Sequence, residues 1–241
     1  MWTDLRTAVA FLTILPVGYP ESSQPGRAFA YFPLVGLLLG LIVAGVASLR
    51  LFPAEVVALL TLAAWVILTG GLHLDGFGDS CDGLLATVTP ERRLDIMKDP
   101  RAGSWAVVGL AILLLGKYVT LQHIAPVLLI LPPVLGRWSM VLAAYNFPYA
   151  RPSGMGAYFR QGLGQGQLVT ASISSLLVGL ILYWLYPQRF ALVACLAITP
   201  LIVVLVGRWA AGRLGGGLTG DVYGALCELT ELVCLIGLSA V

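Results

Sequence analysis

Long apolar runs, interrupted by short clusters of polar and charged residues, fill most of the chain. A helix needs roughly 20 apolar residues to cross a bilayer. Seven stretches meet that length, at 29–49, 53–74, 104–121, 124–145, 168–186, 190–207 and 222–241. A shorter run, Thr7 to Val17, is punctuated by Pro16 and Gly18 and cannot span; it reads as an interfacial helix. The predicted fold is all-α: a polytopic transmembrane helical bundle of about seven spans with a short interfacial N-terminal helix. Residues 1–241 would form a single integral membrane domain. Gly36 and Gly40 give the first span a G-x-x-x-G spacing, which suits close helix packing.

Composition agrees with the pattern. Of 241 residues, 59% are hydrophobic and only 11% are charged, whereas a soluble domain carries roughly 25% charged residues. This much apolar surface exceeds what one core can hide, so lipid is the expected solvent. The four cysteines, Cys81, Cys195, Cys227 and Cys234, make neither a C-x-x-C pair nor a zinc spacing and read as small apolar residues. Asp4 precedes the first apolar run and no small-residue cleavage site follows it, so no signal peptide is expected.

Cation placement supplies an orientation. Alternate loops collect Arg6, Arg27, Arg92, Arg93, Lys98, Arg101, Arg151, Arg160, Arg208 and Arg213. The opposite loops are expected to hold only Arg50, Lys117 and Arg189, and Arg137 falls inside a span. The positive-inside rule then predicts a multi-pass protein of the cytoplasmic (inner) membrane, with a cytoplasmic N-terminus and an external C-terminus.

The acids cluster, and that rule does not explain why. Nine of the 12 acidic residues lie in 75–99 and 221–231, both on the side assigned to the cytoplasm. Asp75, Asp79 and Asp82 stand at i, i+4 and i+7, within about 60° of one another on a helix. Three carboxylates on one stripe repel, and a divalent cation is the usual remedy. Gly76, Gly78 and Gly83 weaken that helix and would let a bulky ligand approach its backbone. His73 reads as structural. Downstream, Thr89 and Pro90 open a short helix that Pro100 and Gly103 close. Its Arg92, Arg93 and Lys98, with Arg101, form either a salt-bridged interfacial surface or a phosphate clamp. In the second window, Gly215 to Gly217 make a turn and Thr219 or Asp221 caps the last helix, whose free amides also suit a phosphate. Glu228 and Glu231 fall deep in that span, where ionisable groups face a polar interior; Arg137 is the expected partner. The loop from Tyr149 to Gln167 reads as a mobile cover for a site. The residues by themselves point to metal-dependent phosphoryl chemistry at the cytoplasmic face, with a carboxylate such as Asp82 as base.

Four segments in order, GGLHLDGFGDSCDGLL, ERRLDIMKDPRAGSWAV, GRWSM and GGGLTGDVYGALCELTE, resemble cobalamin (5′-phosphate) synthase, also called adenosylcobinamide-GDP ribazoletransferase. The resemblance covers most of the chain. It implies transfer of α-ribazole, or its 5′-phosphate, onto adenosylcobinamide-GDP with release of GMP, and a requirement for Mg2+. It implies Asp75, Asp79, Asp82 and Asp221 as metal ligands, with Asp82 and Asp79 also catalytic. Arg92, Arg93, Lys98, Asp99, Arg101, Arg137, Thr219 and Glu228 would contact substrate phosphate or nucleotide. The expected partners are the two substrates and the lipid bilayer, with a homo-oligomer or other cobalamin-assembly enzymes beside them, and no nucleic acid.

Two rivals fit the composition. A CDP-alcohol phosphotransferase also gathers aspartates at a membrane face, but its Asp-Gly is followed by Ala-Arg, and here Asp75-Gly76 is followed by Phe-Gly-Asp. A transporter would show an internal repeat and a midplane site; the halves show no convincing repeat, and the acids sit near one face.

Overall fold

The structure is a computed structural model that describes residues 1–18, 23–49, 51–151 and 155–240. Among these residues it is helical throughout, with one isolated parallel bridge between Tyr149 and Leu218. Helix α1 (Trp2–Leu12) is the expected short N-terminal element. A 3-10 turn, Pro25–Tyr31, leads into α2 (Phe32–Ala47). Then follow α3 (Ala54–Thr69), α4 (Leu72–Leu85), α5 (Pro90–Ile96) and α6 (Ser104–Leu121). A second 3-10 turn, Pro126–Ile130, precedes α7 (Leu131–Asn146). The chain closes with α8 (Met155–Phe159), α9 (Gln165–Leu185), α10 (Arg189–Arg213) and α11 (Gly220–Ser239).

Six helices, each counted with any leading 3-10 turn, are long and apolar enough to cross a membrane, and α3 with α4 adds a bent pair. Leu59, Ile67, Ile112, Leu115, Ile173 and Leu205 are exposed on α3, α6, α9 and α10. Such apolar exteriors, on helices that bond most of their own backbone, are what a bilayer demands. Inside, Leu39, Leu135, Val141, Leu226 and Leu235 are fully buried. The Gly36/Gly40 spacing does pack: a Cβ on Gly36 would meet Val134 Cα at 2.8 Å, and one on Gly40 would meet Ile130 Cα at 2.7 Å. The four cysteines are unpaired.

The run at 53–74 departs from its expected shape. Gly70 and Gly71 both take left-handed backbone, at φ 61° and 68°, a conformation glycine reaches without steric cost. They end α3, and α4 leaves at 89° to it. At 14 residues, α4 is about 21 Å long. It runs across the end of the bundle where α6 and α11 begin: Asp82 accepts hydrogen bonds from Gly103 and Ala106 at the start of α6. At its far end, Arg213 of α10 and Arg93 of α5 donate to the Leu84 carbonyl. The apolar run 53–74 therefore forms α3 and the first turn of α4, with the sharp bend at the glycine pair between them.

The glycines of α4 serve helix packing. A Cβ on Gly76 would stand 2.9 Å from the Asp221 carbonyl, one on Gly78 would touch Ala106 and Leu110 at 3.4 Å, and one on Gly83 would strike Met97 Sδ at 2.9 Å. The expectation that these glycines admit a bulky ligand is replaced by close approach of α11, α6 and the α5 turn. Gly76→Val is expected to cost about 1–3 kcal/mol, the range for overpacking, because backbone atoms of α11 must move. A lower melting temperature with loss of activity checks this; a wild-type melting curve would contradict it.

Lys117 does not join the opposite loop. It is buried in α6 and bonds Glu228 and Glu231 at 2.6 and 2.5 Å. A lysine that far inside an apolar span is stable because two carboxylates meet it. Arg50 lies outside the described residues, as do residues 19–22, 152–154 and 241.

Candidate active site

Two acidic stretches, separated by some 140 residues of sequence, come together where α4 crosses α11. The crossing is close because both helices carry glycine there: a Cβ on Gly224 would meet His73 Cα and its carbonyl oxygen at 3.3 Å, opposite the Gly76–Asp221 contact. Beside this crossing lies a cavity of about 270 Å³. Its polar wall is His73, Asp75, Arg151, Asp221 and Tyr223, and its apolar wall includes Phe11, Phe29 and Phe159. Arg151 Nη2 donates to Asp221 Oδ2 at 3.2 Å. Among the described residues, three buried polar atoms of residues that line this wall have no hydrogen-bond partner: His73 Nε2, Arg151 Nε and Tyr223 Oη. Buried polar groups are normally satisfied, so three orphans around one cavity mark a place for a polar ligand.

The predicted carboxylates divide. Asp75 and Asp221 line the cavity. Asp79, one turn along α4 from Asp75, is half-buried beside them. Partial burial first, then the charges of Asp221, Asp75 and Asp82, push its carboxyl up to about 7. Asp82 has both oxygens engaged, accepting from the Gly103 amide at 2.6 Å and the Ala106 amide at 2.9 Å. It caps α6 and ties α4 to it, a structural task.

The predicted cationic clamp also divides. Arg92, Lys98 and Arg101 are exposed near the end of α4, and Arg101 forks onto Asp99 at 2.9 and 2.7 Å, which holds the Asp99 carboxyl well below its usual range. Arg93 is buried, its Nη1 donating to the carbonyls of Gly83 and Leu84 at the C-terminus of α4, where a cation also meets the negative end of the helix dipole. Thr89 and Thr219 accept from the amides of Arg92 and Val222 as helix caps.

Arg137 and Glu228 sit deeper. Arg137 pairs with Glu231, Glu231 and Glu228 share Lys117, and Arg137 Nη2 reaches His73 Nδ1 at 3.3 Å. The predicted Arg137–acid pairing therefore forms with Glu231. Neither Arg137 nor Glu228 reaches the cavity wall; only His73 connects this buried network to it.

Sequence reading missed Arg151, Tyr149, Tyr223 and the phenylalanines of the cavity. None lies in the acidic windows except Tyr223, and a phenylalanine in an apolar run carries no mark of its destination. The available signal was Arg151 beside Tyr149 in the polar loop expected to cover a site. Phe159, on α8 of that loop, does form part of the wall.

Among the described residues, no three His, Cys, Asp or Glu side chains stand close enough to hold a metal by themselves. Mg2+ seldom asks for that: it takes one or two protein carboxylates and completes its shell with water and substrate phosphate oxygens. Asp75 and Asp221 on one wall, with Asp79 destabilised by the charges of its neighbours, are a donor set of that kind.

Comparison with known proteins places this arrangement. A family model described as cobalamin-5-phosphate synthase matches residues 4–239. The adenosylcobinamide-GDP ribazoletransferase of Desulfitobacterium hafniense is 39% identical over 97% of this chain and 95% of its own length. Those of Roseiflexus sp. (strain RS-1) and Deinococcus radiodurans are 40% and 42% identical, covering 99% and 96% of this chain and 90% and 83% of theirs. No solved structure gives a significant match.

Proposed function

The chain belongs to the cobalamin-5-phosphate synthase family, and we propose that it performs the lower-ligand attachment of cobalamin biosynthesis at the cavity between α4 and α11. It joins adenosylcobinamide-GDP to α-ribazole, or to α-ribazole 5′-phosphate, and releases GMP. The observation that carries this placement is the meeting of the two acidic stretches at Gly76 and Asp221, which puts Asp75 and Asp221 on one cavity wall. This reading displaces the CDP-alcohol phosphotransferase and the transporter.

Asp75 and Asp221 would hold Mg2+. That ion supplies charge neutralisation to a bound diphosphate and to the GMP phosphate as it leaves. Arg151, already bonded to Asp221, has Nε free for a phosphate oxygen, and arginine's fork suits that contact. In the transfer, a ribose hydroxyl oxygen of the acceptor bonds to the phosphorus attached to cobinamide. The bond from that phosphorus to the bridging oxygen breaks, and GMP leaves with the electron pair. Asp79 receives the hydroxyl proton. A cation on Asp75 and Asp221 would leave Asp79 ionised and able to accept that proton at neutral pH, whereas Asp82 is occupied by the amides of α6. The cavity is far smaller than adenosylcobinamide-GDP and is partly walled by aromatic rings, so it takes a planar portion of a substrate while the corrinoid lies over the face. The ten cations that the sequence gathers in alternate loops support a cytoplasmic site under the positive-inside rule.

Purified protein supplied with Mg2+, adenosylcobinamide-GDP and α-ribazole should form GMP in proportion to cobalamin; absence of GMP would sink the reading. Metal binding should also be coupled to protons. Below pH 7 the Asp79 carboxyl holds a proton that a nearby cation expels, so Mg2+ affinity should rise by up to about tenfold per pH unit and level off above pH 7. Calorimetric titrations at pH 5.5, 6.5 and 8 check this, and a pH-independent affinity would remove Asp79 from the site.

A further inference from the structure

Resting on that placement of the site, we propose that His73 is a substrate-contacting residue, whose Nε2–H donates a hydrogen bond to a phosphate oxygen held in the cavity. His73 is buried, lines the cavity, and makes one side-chain hydrogen bond, between Nδ1 and Arg137 Nη2 at 3.3 Å. A guanidinium only donates. Nδ1 is therefore the acceptor, and the ring hydrogen belongs to Nε2, the atom with no partner in the protein.

Arg137 is itself fixed from behind. It pairs with Glu231, and Glu231 shares Lys117 with Glu228. This buried quartet has two positive and two negative members, so it holds the arginine in place without adding net charge beneath the site. The histidine's orientation is thus set by groups one layer below the cavity, in the manner of a carboxylate or carbonyl that fixes the tautomer of a metal-bound imidazole. The orphan atoms of Arg151 and Tyr223 on the same wall are also able to donate. Three donors around one space, next to carboxylates suited to a divalent cation, match an oxyanion bridged to metal. A ligand that only donates, such as an ammonium group, would leave those donors unmet.

Two replacements separate this role from a merely structural one. Glutamine carries its amide nitrogen close to the position of Nε2, and asparagine carries a polar atom close to that of Nδ1. His73→Gln should remain within about tenfold of wild type in kcat/KM for GMP release. His73→Asn and His73→Leu should lose about tenfold to a hundredfold, the range for a hydrogen bond to a charged group, with melting temperatures near that of wild type. Full activity in His73→Leu, or rescue by asparagine in place of glutamine, would overturn the proposal. A second measurement covers the case in which the variants fail to fold. The chain has only two histidines, His73 and His123, so 15N-histidine spectra of the intact protein are simple to assign. His73 should show a pyridine-like Nδ1 and an Nε2–H whose proton signal moves downfield on adding magnesium pyrophosphate. A protonated Nδ1, or an Nε2–H indifferent to pyrophosphate, would refute it. Failure of wild-type protein to release GMP would sink the proposed reaction, and the pyrophosphate response would still decide the role of His73.

Discussion

Asp221→Asn is expected to lower GMP formation by about a thousandfold, in line with removal of a preorganised electrostatic contact to transferring phosphate, with little change in melting temperature. Asparagine keeps an oxygen that accepts from Arg151, now bonded at 3.2 Å, and leaves the Gly76 contact intact because that contact is to the Asp221 backbone. What disappears is the negative charge. Half of the proposed protein ligands of Mg2+ go with it, and Arg151 becomes an uncompensated charge on the cavity wall. Two signatures should accompany the loss: Mg2+ binds more weakly, and the Asp79 carboxyl returns toward the usual carboxylate range because Asp221 is one of the charges holding it up. Steady-state GMP release over a range of Mg2+ concentrations and pH values measures both. Asp221→Asn with wild-type turnover at low Mg2+ would remove the last helix from the reaction.

Lys117→Met is the substitution expected to hurt stability most. The lysine is buried in α6 between Glu228 and Glu231 and 4.7 Å from the centre of the Trp65 ring. Its removal leaves two carboxylates facing one arginine within the spans. Breaking a buried ion pair from one side costs about 3–5 kcal/mol. The double variant Lys117→Met with Glu228→Gln restores charge balance around Arg137 and Glu231, and should recover a large part of that loss. Reversible unfolding in detergent checks the pair of values. If the single variant unfolds like wild type, the four charges are not energetically coupled. Because Arg137 also bears on His73, the single variant should lose activity at temperatures where it is still folded.

The spans were legible because the bilayer imposes one requirement on every crossing segment: enough consecutive apolar residues to cover its thickness. Predicted and observed boundaries coincide at 104–121 and differ elsewhere mainly where a 3-10 turn precedes the helix or where α10 runs on to Arg213. The carboxylate stripe of α4 was legible for a similar reason, since 3.6-residue periodicity is local. The caps at Thr89 and Thr219 needed only their own first turns. Family membership followed from four segments in fixed order.

Other features required the fold. The 89° turn after Thr69 depends on two consecutive glycines in left-handed backbone, and an apolar run does not disclose where a helix changes direction. Lys117 was assigned to a loop because it lies near the end of an apolar stretch. Only packing shows that Glu228 and Glu231, more than 100 residues later, wait for it inside the bundle. Asp82 and Arg93 carry the same charges as their neighbours, yet one caps α6 and the other caps α4. Charge at a position is a property of the residue, while the partner that meets it is a property of the helix crossing. By itself, then, the sequence determined a helical membrane protein with two acid clusters on one face and the family it belongs to. Tertiary structure decided which acids reach a shared cavity, because side-chain destinations depend on how α4, α7 and α11 cross, and helix-crossing geometry is set by non-local contacts such as Gly76 on Asp221.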